Sequence, residues 1–490
     1  MRLKDLIDGY ADLMQAWGST DIPAVWDDSR RVTPGSLFAA LPPVSEVTRN
    51  GEKYITEAVI NGAKVVIVTS GMADDLRSRF PGICFIAAQD PRAIFRTVVD
   101  RFYGHPSRKM LVVGITGTNG KTTITYFLEA IIKAAGKTSA VLGTVNYRVG
   151  DQVIPSKNTT QGFLDNQIFL ADLINRGVDY AVMEVSSHAL DQGRVALIDF
   201  RGAIFTNLTG DHLDYHKTME AYFQAKASLF AGLDPEAFAV VNVDDPYGRR
   251  LTGMTRARVI TYGINTPADV SAHIESFGLS GTRFTLRFFG QEMVLNTHFI
   301  GIHNIYNLLA AFAAGLGEGL SPELVKAGIE SLGCVPGRLE RVDAGQDYCV
   351  FIDYAHTDDG LKNVLECLKL VPHRRLIVVF GCGGERDRTK RPRMGRVACE
   401  LADYAILTSD NPRSEDPDAI IAEIVPGFTR NTYEIVTDRE AAIKKALMIA
   451  QKDDIVLLAG KGHENYQVLK CGTIDFIEKD IVMHVLAKGK

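Results

Sequence analysis

Gly117-Thr118-Asn119-Gly120-Lys121-Thr122-Thr123 combines glycines, a lysine and paired hydroxyls directly after the apolar run Met110–Thr116 (MLVVGIT). A helix-like stretch to about Ala135 follows. Glycines let backbone N–H groups turn inward around phosphate oxygens, and a helix N-terminus adds its positive dipole. Lys121 then reaches the outer phosphates of a nucleotide, and the Thr122 hydroxyl suits Mg²⁺. The strict pattern GxxxxGK[ST] asks for glycine at 115; Ile115 stands there and Gly114 comes one place early, so this is a shortened phosphate loop. A glycine-rich turn without nucleotide would not require strand, loop, lysine, threonines and helix in that order.

A phosphate loop specifies a nucleotide, not a reaction. Glu184, Ser186, Ser187, His188, Gln192 and Arg194 close or follow the apolar run Tyr180–Val185, and Asn207, Asp211, His212, Asp214 and His216 close or follow Ala203–Asn207. Ligands of an open parallel sheet sit at the carboxyl ends of its strands, which predicts Glu184 and His212 on the edge that carries Lys121. A carboxylate, one imidazole and waters suit Mg²⁺ beside phosphates. A lone histidine is more often structural, but the polar run NLTGDHLDYH favours function for His212. Lys226, taken alone, reads as a solvated helix lysine.

A second constellation lies near the C-terminus. Gly381–Arg388 (GCGGERDR), Ser409–Pro417 (SDNPRSEDP) and Gly460–Glu464 (GKGHE) each follow an apolar strand, so they should converge at one sheet edge. They offer Arg386 and Arg413, whose guanidiniums pair with a planar carboxylate, and Asp410, Asn411 and Glu464, which suit an ammonium. The implied ligand is a small zwitterion. The plainer alternative makes Asp410-Asn411-Pro412-Arg413 the turn before a helix capped by Asp416, with Pro417 at its first position; both can hold.

The elements that must position these residues are legible as rhythm. Short apolar runs (Lys64–Thr69, Ile83–Ala87) alternate with helical stretches up to the polar segment Arg101–Lys109. Continuous β-rich runs with helices between them (Met110–Thr116, Ser139–Thr144, Tyr180–Val185, Ala203–Asn207, Ala237–Val243) predict a parallel sheet covered on both faces. Alternation across Asp269–Phe299 predicts an antiparallel addition, and helices over Ile305–Gly315 and Ser321–Ser331 lead to Pro336-Gly337. The strand–helix rhythm restarts with Tyr348–Ile352, Leu376–Phe380, Tyr404–Thr408 and Ile455–Ala459. The predicted class is α/β in three domains: a small α/β domain over 1–106, a central phosphate-loop domain over 107–336 and a Rossmann-like domain over 337–490. A chain of 490 residues is long enough for this division.

With GTNGKTT, MEVSSH, NLTGDHLDYH and AYFQAKASLF in this order, the chain resembles the Mur ligases. Later matches are Gly301-Ile302-His303-Asn304-Ile305-Tyr306-Asn307, Pro336-Gly337-Arg338 and Asp353-Tyr354-Ala355-His356. The resemblance implies ATP-dependent amide formation through an acyl phosphate in cell-wall precursor synthesis. It implies ATP contacts from Gly117 through Thr123 and from Asn304, Arg338, Asp353 and His356. It places Mg²⁺ on Thr122 and Glu184, and a second Mg²⁺ on His212 and Lys226, the latter carried as a carbamate (N6-carboxylysine). Lys121, Glu184, His212 and Lys226 are thus the expected catalytic group.

The DNPR run at 410–413 resembles that of the members adding meso-diaminopimelate to UDP-N-acetylmuramoyl-L-alanyl-D-glutamate. That implies amine contacts from Arg386, Asp410, Asn411, Pro412, Arg413, Gly460 and Glu464. Ser29, Asn158, Thr159, Thr160, Ser186, Gln192 and Arg194 match positions on the uridine and muramoyl side. The family often has Thr-Thr-Pro at 159–161, Asp-Gly at 50–51 and Thr-Pro-Asp at 357–359; here Gln161, Asn50 and Asp358 break those patterns.

Composition weighs the alternatives. Fifty-four basic against 59 acidic residues leave a net charge of −5, without the basic field that nucleic-acid binding wants. The absence of a long apolar run and of a signal-peptide pattern at Met1, where an amphipathic helix is expected instead, argues against membrane association and for a cytoplasmic chain. Seven cysteines without a CxxC pair read as reduced core residues. A monomer is expected. The rivals are the lysine-adding ligase, opposed by Arg413; a folylpolyglutamate synthase, opposed by the muramoyl-side residues; and a nucleotide-gated scaffold, opposed by Glu184, His212 and Lys226.

Overall fold

The computed structural model describes residues 1–43, 50–150, 152–155, 158–279 and 281–488, without the side chains of 155, 214 and 488. The stretch 42–49, which precedes Asn50 and departs from the family's usual first-domain pattern, therefore lies largely outside the described residues, as does the side chain at 214. Two compact units are present: 1–114 with 137–201 and 231–237, and 115–136 with 202–230 and 238–490.

Within the first unit, β1 (Val25–Trp26), β2 (Leu37–Ala39), β3 (Val65–Thr69) and β4 (Cys84–Ala88) form a four-stranded parallel sheet in that order. Its unbroken apolar strands are buried on both faces. Val65 and Ile67 pack with Phe95, Val98 and Val99 on one side, while Val66 and Val68 pack with Phe38 and Phe85 on the other. Each such side chain stabilises the fold by roughly 1.5–3 kcal/mol.

An eleven-stranded sheet is built from β5 (Leu111–Thr116), β6 (Ser139–Leu142), β7 (Asn146–Val149), β8 (Gln152–Pro155), β9 (Tyr180–Glu184), β10 (Gly202–Phe205), β11 (Phe238–Asn242), β12 (Arg258–Gly263), β13 (Val270–Gly278), β14 (Gly281–Phe288) and β15 (Gln291–Thr297). Its order is β15-β14-β13-β12-β11-β10-β5-β9-β6-β7-β8. The β10–β11–β12–β13 neighbours are parallel, and β13–β14–β15 form the antiparallel addition that the alternation predicts. A second antiparallel edge, β6–β7–β8, escapes the sequence reading because Asn146–Pro155 is short and polar.

The remaining sheet lies within the second unit. It runs β16-β17-β21-β18-β19-β20, from β16 (Glu340–Val342), β17 (Cys349–Asp353), β18 (Leu376–Phe380), β19 (Tyr404–Leu407), β20 (Tyr433–Ile435) and β21 (Ile455–Ala459). From β17 through β20 every neighbouring pair is parallel. The loops after β17, β21, β18 and β19 therefore leave one edge side by side. A hairpin, β22 (Tyr466–Leu469) with β23 (Gly472–Asp475), follows the β21 loop.

Two expectations change. The amphipathic helix at the N-terminus is two short helices, Leu3–Leu6 and Ala11–Trp17, interrupted where Gly9 takes φ +84°. The cysteines are not all in the core: Cys334 and Cys471 are exposed and Cys349 is half-buried, while Cys84, Cys367, Cys382 and Cys399 are buried. No helix among the described residues is long and apolar enough to cross a membrane.

Candidate active site

The phosphate loop spans from the end of β5 to the helix Lys121–Ala134. Gly117 takes φ +144°, and a Cβ there would come within 1.8 Å of Thr206 Oγ1; Gly120 takes φ +91°, with Asn307 Oδ1 2.2 Å from where its Cβ would lie. Only glycine meets both demands. The loop is tied to the segment after β10: Thr118 N donates to Asn207 O (2.8 Å), Asn119 N to Asn207 Oδ1 (3.0 Å), and Thr206 Oγ1 to Asn119 O (2.6 Å). Lys121 Nζ folds over the loop, donating to Gly117 O and Thr118 O, each at 2.9 Å. Thr122 and Thr123 are buried in the first helical turn, and Arg338 Nη2 donates to Thr122 Oγ1 at 3.2 Å.

Lys226 lies on the helix Met219–Ala231, only 1% exposed, and its Nζ donates to the same Gly117 carbonyl at 3.0 Å. Burial, with the Lys121 charge second, holds its ammonium well below the usual lysine range. The solvated-lysine reading is thereby excluded. Tyr222 adjoins this group: Lys226 Nζ is 4.6 Å from its ring centre, the His212 ring 6.2 Å, and its hydroxyl is 3.2 Å from Thr118 Oγ1. His212 is in the left-handed region at φ +55°, with Nε2 3.5 Å from Asp211 Oδ2.

Asp353 accepts from Leu339 N (2.7 Å), next to Arg338, and from Ala355 N (2.8 Å) in its own loop, which ties the chain after Arg338 to the β17 loop; burial raises its carboxyl. The Arg338 guanidinium stacks 4.8 Å from the Tyr354 ring centre, and that ring also packs against His356 (4.6 Å) and His463 (4.7 Å). His356 is exposed, with Nδ1 2.8 Å from Tyr354 O. Asn304 is buried and donates to Ile300 O (2.9 Å), while its Oδ1 accepts from Asn307 (3.3 Å). Asp359 accepts from Asn119 Nδ2 (3.0 Å) and Thr209 Oγ1 (3.3 Å).

In the first unit, Glu184 ends β9, 1% exposed, and receives Thr144 N at Oε1 (3.1 Å) and Thr144 Oγ1 at Oε2 (2.9 Å). Thr144 Oγ1 also lies 3.0 Å from Thr159 Oγ1. Thr160 Oγ1 donates to Glu184 O (2.8 Å) and accepts from Ser186 N (3.2 Å). Arg194 Nη1 donates to Thr160 O (3.1 Å) and its Nε to Gln192 Oε1 (2.9 Å), while Ser186 caps the helix Ser187–Asp191. These residues form one hydrogen-bonded group beside the exposed Asn158. Ser29 belongs to another: its Oγ donates to Glu57 Oε2 at 2.8 Å, and its carbonyl accepts from Asn61.

The edge of the six-stranded sheet gathers the zwitterion residues. Asn411 donates to Glu464 Oε2 (2.8 Å) and its Oδ1 accepts from Lys461 Nζ (3.0 Å) and Val468 N (2.9 Å). Arg413 takes φ +55°; its N–H donates to Val468 O (3.1 Å) and its Nη1 to Gly384 O (2.6 Å). Arg386 is exposed on the β18 loop. Pro412 is buried, and its carbonyl accepts from Glu415 N. Asp410 Oδ1 accepts from Asn411 N (2.7 Å), and Oδ2 lies 4.0 Å from Arg439 Nη1 under Gly460, where a Cβ would come within 2.7 Å of it. Asp416 caps the helix Pro417–Ile424, so capping and clustering coexist.

Two family descriptions match: the Mur ligase middle domain over residues 115–315, and the Mur ligase glutamate ligase domain over residues 337–462. The chain belongs to the Mur ligase family. It is 46% identical over 472 residues to the UDP-N-acetylmuramoyl-L-alanyl-D-glutamate–2,6-diaminopimelate ligase of Solibacter usitatus, covering 95% of this chain and 94% of that one. To the ligase of the same name from Syntrophomonas wolfei it is 40% identical, with both chains fully covered. A solved structure of a UDP-N-acetylmuramoyl-L-alanyl-D-glutamate–2,6-diaminopimelate ligase superposes with a TM-score of 0.72 at 31% identity, over 100% of this chain and 99% of that one.

Sequence reading passed over several residues that this Mur ligase buries around its sites. Lys461 is one, although a lysine directly after a glycine in a loop that follows an apolar strand is the very signal that exposes Lys121. Tyr222 is hidden within the AYFQAKASLF run that carries Lys226, and the half-buried Thr144 and Asp359 carry no motif of their own. Arg391, fully buried, holds Glu415 by two bonds at 3.0 Å and Glu423 at 2.9 Å, joining the β18 loop's helix to the β19 loop. Its distance in sequence from Glu415 and Glu423 hides that role.

Proposed function

We propose that this Mur ligase joins meso-diaminopimelate to the D-glutamate carboxylate of UDP-N-acetylmuramoyl-L-alanyl-D-glutamate at the expense of ATP, as a cytoplasmic monomer. The observation that carries the reading is the single loop cluster in which Arg413 stands beside Asn411 and Glu464. A guanidinium for a distal carboxylate and a carboxylate for a distal ammonium fit an amine whose far end is itself an amino acid. L-Lysine brings no distal carboxylate for Arg413.

The chemistry is two displacements. A substrate carboxylate oxygen attacks the γ-phosphorus, the bond to ADP breaks, and an acyl phosphate forms. The neutral amine then attacks the acyl carbon, the bond to phosphate breaks, and the amine's proton leaves to solvent. Backbone N–H groups of Gly117–Thr123, with Lys121, hold the phosphates, and Arg338 approaches the γ-phosphate from its stack on Tyr354. Asp353 acts by pinning Arg338, Asn304 lies on the adenine side and His356 meets the nucleotide. Ser29, Asn158, Thr159, Thr160, Ser186, Gln192 and Arg194 take the uridine and muramoyl side.

The hydroxyl of Thr122 and the carboxylate of Glu184 are hard oxygens that fit Mg²⁺, with His212 and a carbamate on Lys226 for a second ion. Bound Mg²⁺ supplies charge neutralisation at the phosphates. The buried Lys226 amine fits carbamate formation: neutral nitrogen adds to CO₂, one proton leaves, and the resulting anion lies near Lys121 instead of opposing it. Phosphate release with ATP, Mg²⁺ and the muramoyl dipeptide tests the reading. Release and a new amide with meso-diaminopimelate but not L-lysine is expected; the reverse preference would sink the use of Arg413.

A further inference from the structure

Lys461 in the amine-side cluster is wholly shut from solvent, at 0% exposure, yet its ammonium has two full hydrogen bonds. It donates to Asn411 Oδ1 (3.0 Å) and Glu464 Oε2 (3.1 Å), and lies 5.8 Å from the Tyr466 ring centre. Glu464 keeps 14% of its side chain exposed, so the lysine stands behind it and a ligand in front. An unpaired ammonium in such a place would be untenable, and its partners are both residues of the amine-side cluster.

We infer that Lys461 is a positioning residue that fixes stereoselectivity at the distal centre of the amine, an inference that rests on the function proposed above. Its ammonium decides the orientation of the Asn411 amide: Oδ1 faces Lys461 and Val468 N, so Nδ2 must face Glu464. Glu464 Oε2 therefore takes both Asn411 and Lys461, and Oε1 is the oxygen presented to a ligand ammonium. The same β22 strand that meets Asn411 through Val468 N holds Arg413 through Val468 O. The carboxylate-binding fork and the ammonium-binding oxygen are thus fixed to one backbone, with Lys461 as the locking element. Two fixed polar points and the direction of the ligand's chain are the three constraints needed to tell one configuration of the distal carbon from its mirror image.

The test is steady-state turnover of wild type, Lys461→Met and Lys461→Gln with meso-diaminopimelate, LL-diaminopimelate and 2-aminoheptanedioate, which lacks the distal amine. Both variants should raise KM for the meso isomer by about ten- to hundredfold and draw the meso-to-LL preference toward unity. KM for ATP should stay unchanged, and 2-aminoheptanedioate should lose nothing further. An unaltered meso-to-LL preference overturns the inference. So does a parallel loss of ATP affinity, or failure of both variants to fold, since Lys461 would then only support the fold. Wild type inactive with every diaminopimelate isomer would instead refute the proposed substrate, independently of Lys461.

Discussion

Arg413→Gly separates the shape of the DNPR loop from its charge. Arg413 stands at φ +55°, a region costing a non-glycine residue roughly 1–2 kcal/mol, and glycine removes that cost. The substitution also deletes the Nη1 bond to Gly384 O, worth about 1 kcal/mol net. The two effects nearly cancel, so the melting temperature should hardly move. Binding should suffer far more. Backbone carbonyls anchor Nη1 at 2.6 Å (Gly384) and 3.4 Å (Asn411), so under the proposed function the Nε–Nη2 edge is the one that meets the ligand carboxylate. Losing such a paired charge contact costs about 3 kcal/mol, or roughly two orders of magnitude in KM for meso-diaminopimelate. The assay is phosphate release at saturating ATP and muramoyl dipeptide with the amine varied, beside a thermal melt. L-Lysine, with no distal carboxylate, should be indifferent to the change. A normal melt with an unchanged KM for meso-diaminopimelate would refute the assignment of Arg413.

Burial holds the Lys226 ammonium below its ordinary range, so the unfolded chain binds a proton that the folded one resists, and stability rises with pH between the folded and ordinary values. Lys226→Met should therefore melt higher than the unmodified wild type in CO₂-free buffer at neutral pH while losing turnover; a lower melting temperature contradicts the burial argument. Glu415 is held at about 2, against an ordinary 4.5, first by the Arg391 hydrogen bond and then by Glu385 N–H. Its contribution is complete above the ordinary value and fades as pH falls toward about 2, so Glu415→Gln should flatten the acid limb of stability, seen in melts across that range. Gly117→Ala would place a methyl 1.8 Å from Thr206 Oγ1 and should abolish ATP binding by calorimetry, whereas Gly71→Ala, which meets no atom within 4 Å, should leave it intact.

What the sequence reveals follows from how locally each feature is encoded. The phosphate loop is legible because glycine, lysine and threonine requirements fall within seven consecutive residues. The parallel strands are legible because burial on both faces demands unbroken apolar runs. The helix break at Gly9 is not, because one glycine inside an amphipathic pattern is compatible with either outcome. The short strands β7, β8, β22 and β23 owe their existence to neighbours already in place. Lys461, Arg391 and Asp359 each gain a role from a partner distant in sequence: Asn411, 50 residues from Lys461; Glu415, 24 from Arg391; and Asn119, 240 from Asp359. The sheet order β17-β21-β18-β19 brings the loops of the first two pairs to one edge.

The same strand order constrains how relatives with other amines could arise. The loops after β18 and β19 carry Arg386 and Arg413, and much of the β18 loop is exposed. The loop after β21 has no such freedom. A Cβ on Gly337 would strike His463 N at 2.1 Å, and one on Gly462 would meet Tyr354 Cβ at 2.7 Å, so this loop is wedged against the segment that presents Arg338. A lineage changing its amine can exchange the exposed side chains of the first two loops at little cost, but a shift of the third loop's backbone also disturbs the segment that presents Arg338. Amine choice should therefore diverge through the loops bearing the two arginines while GKGHE stays put.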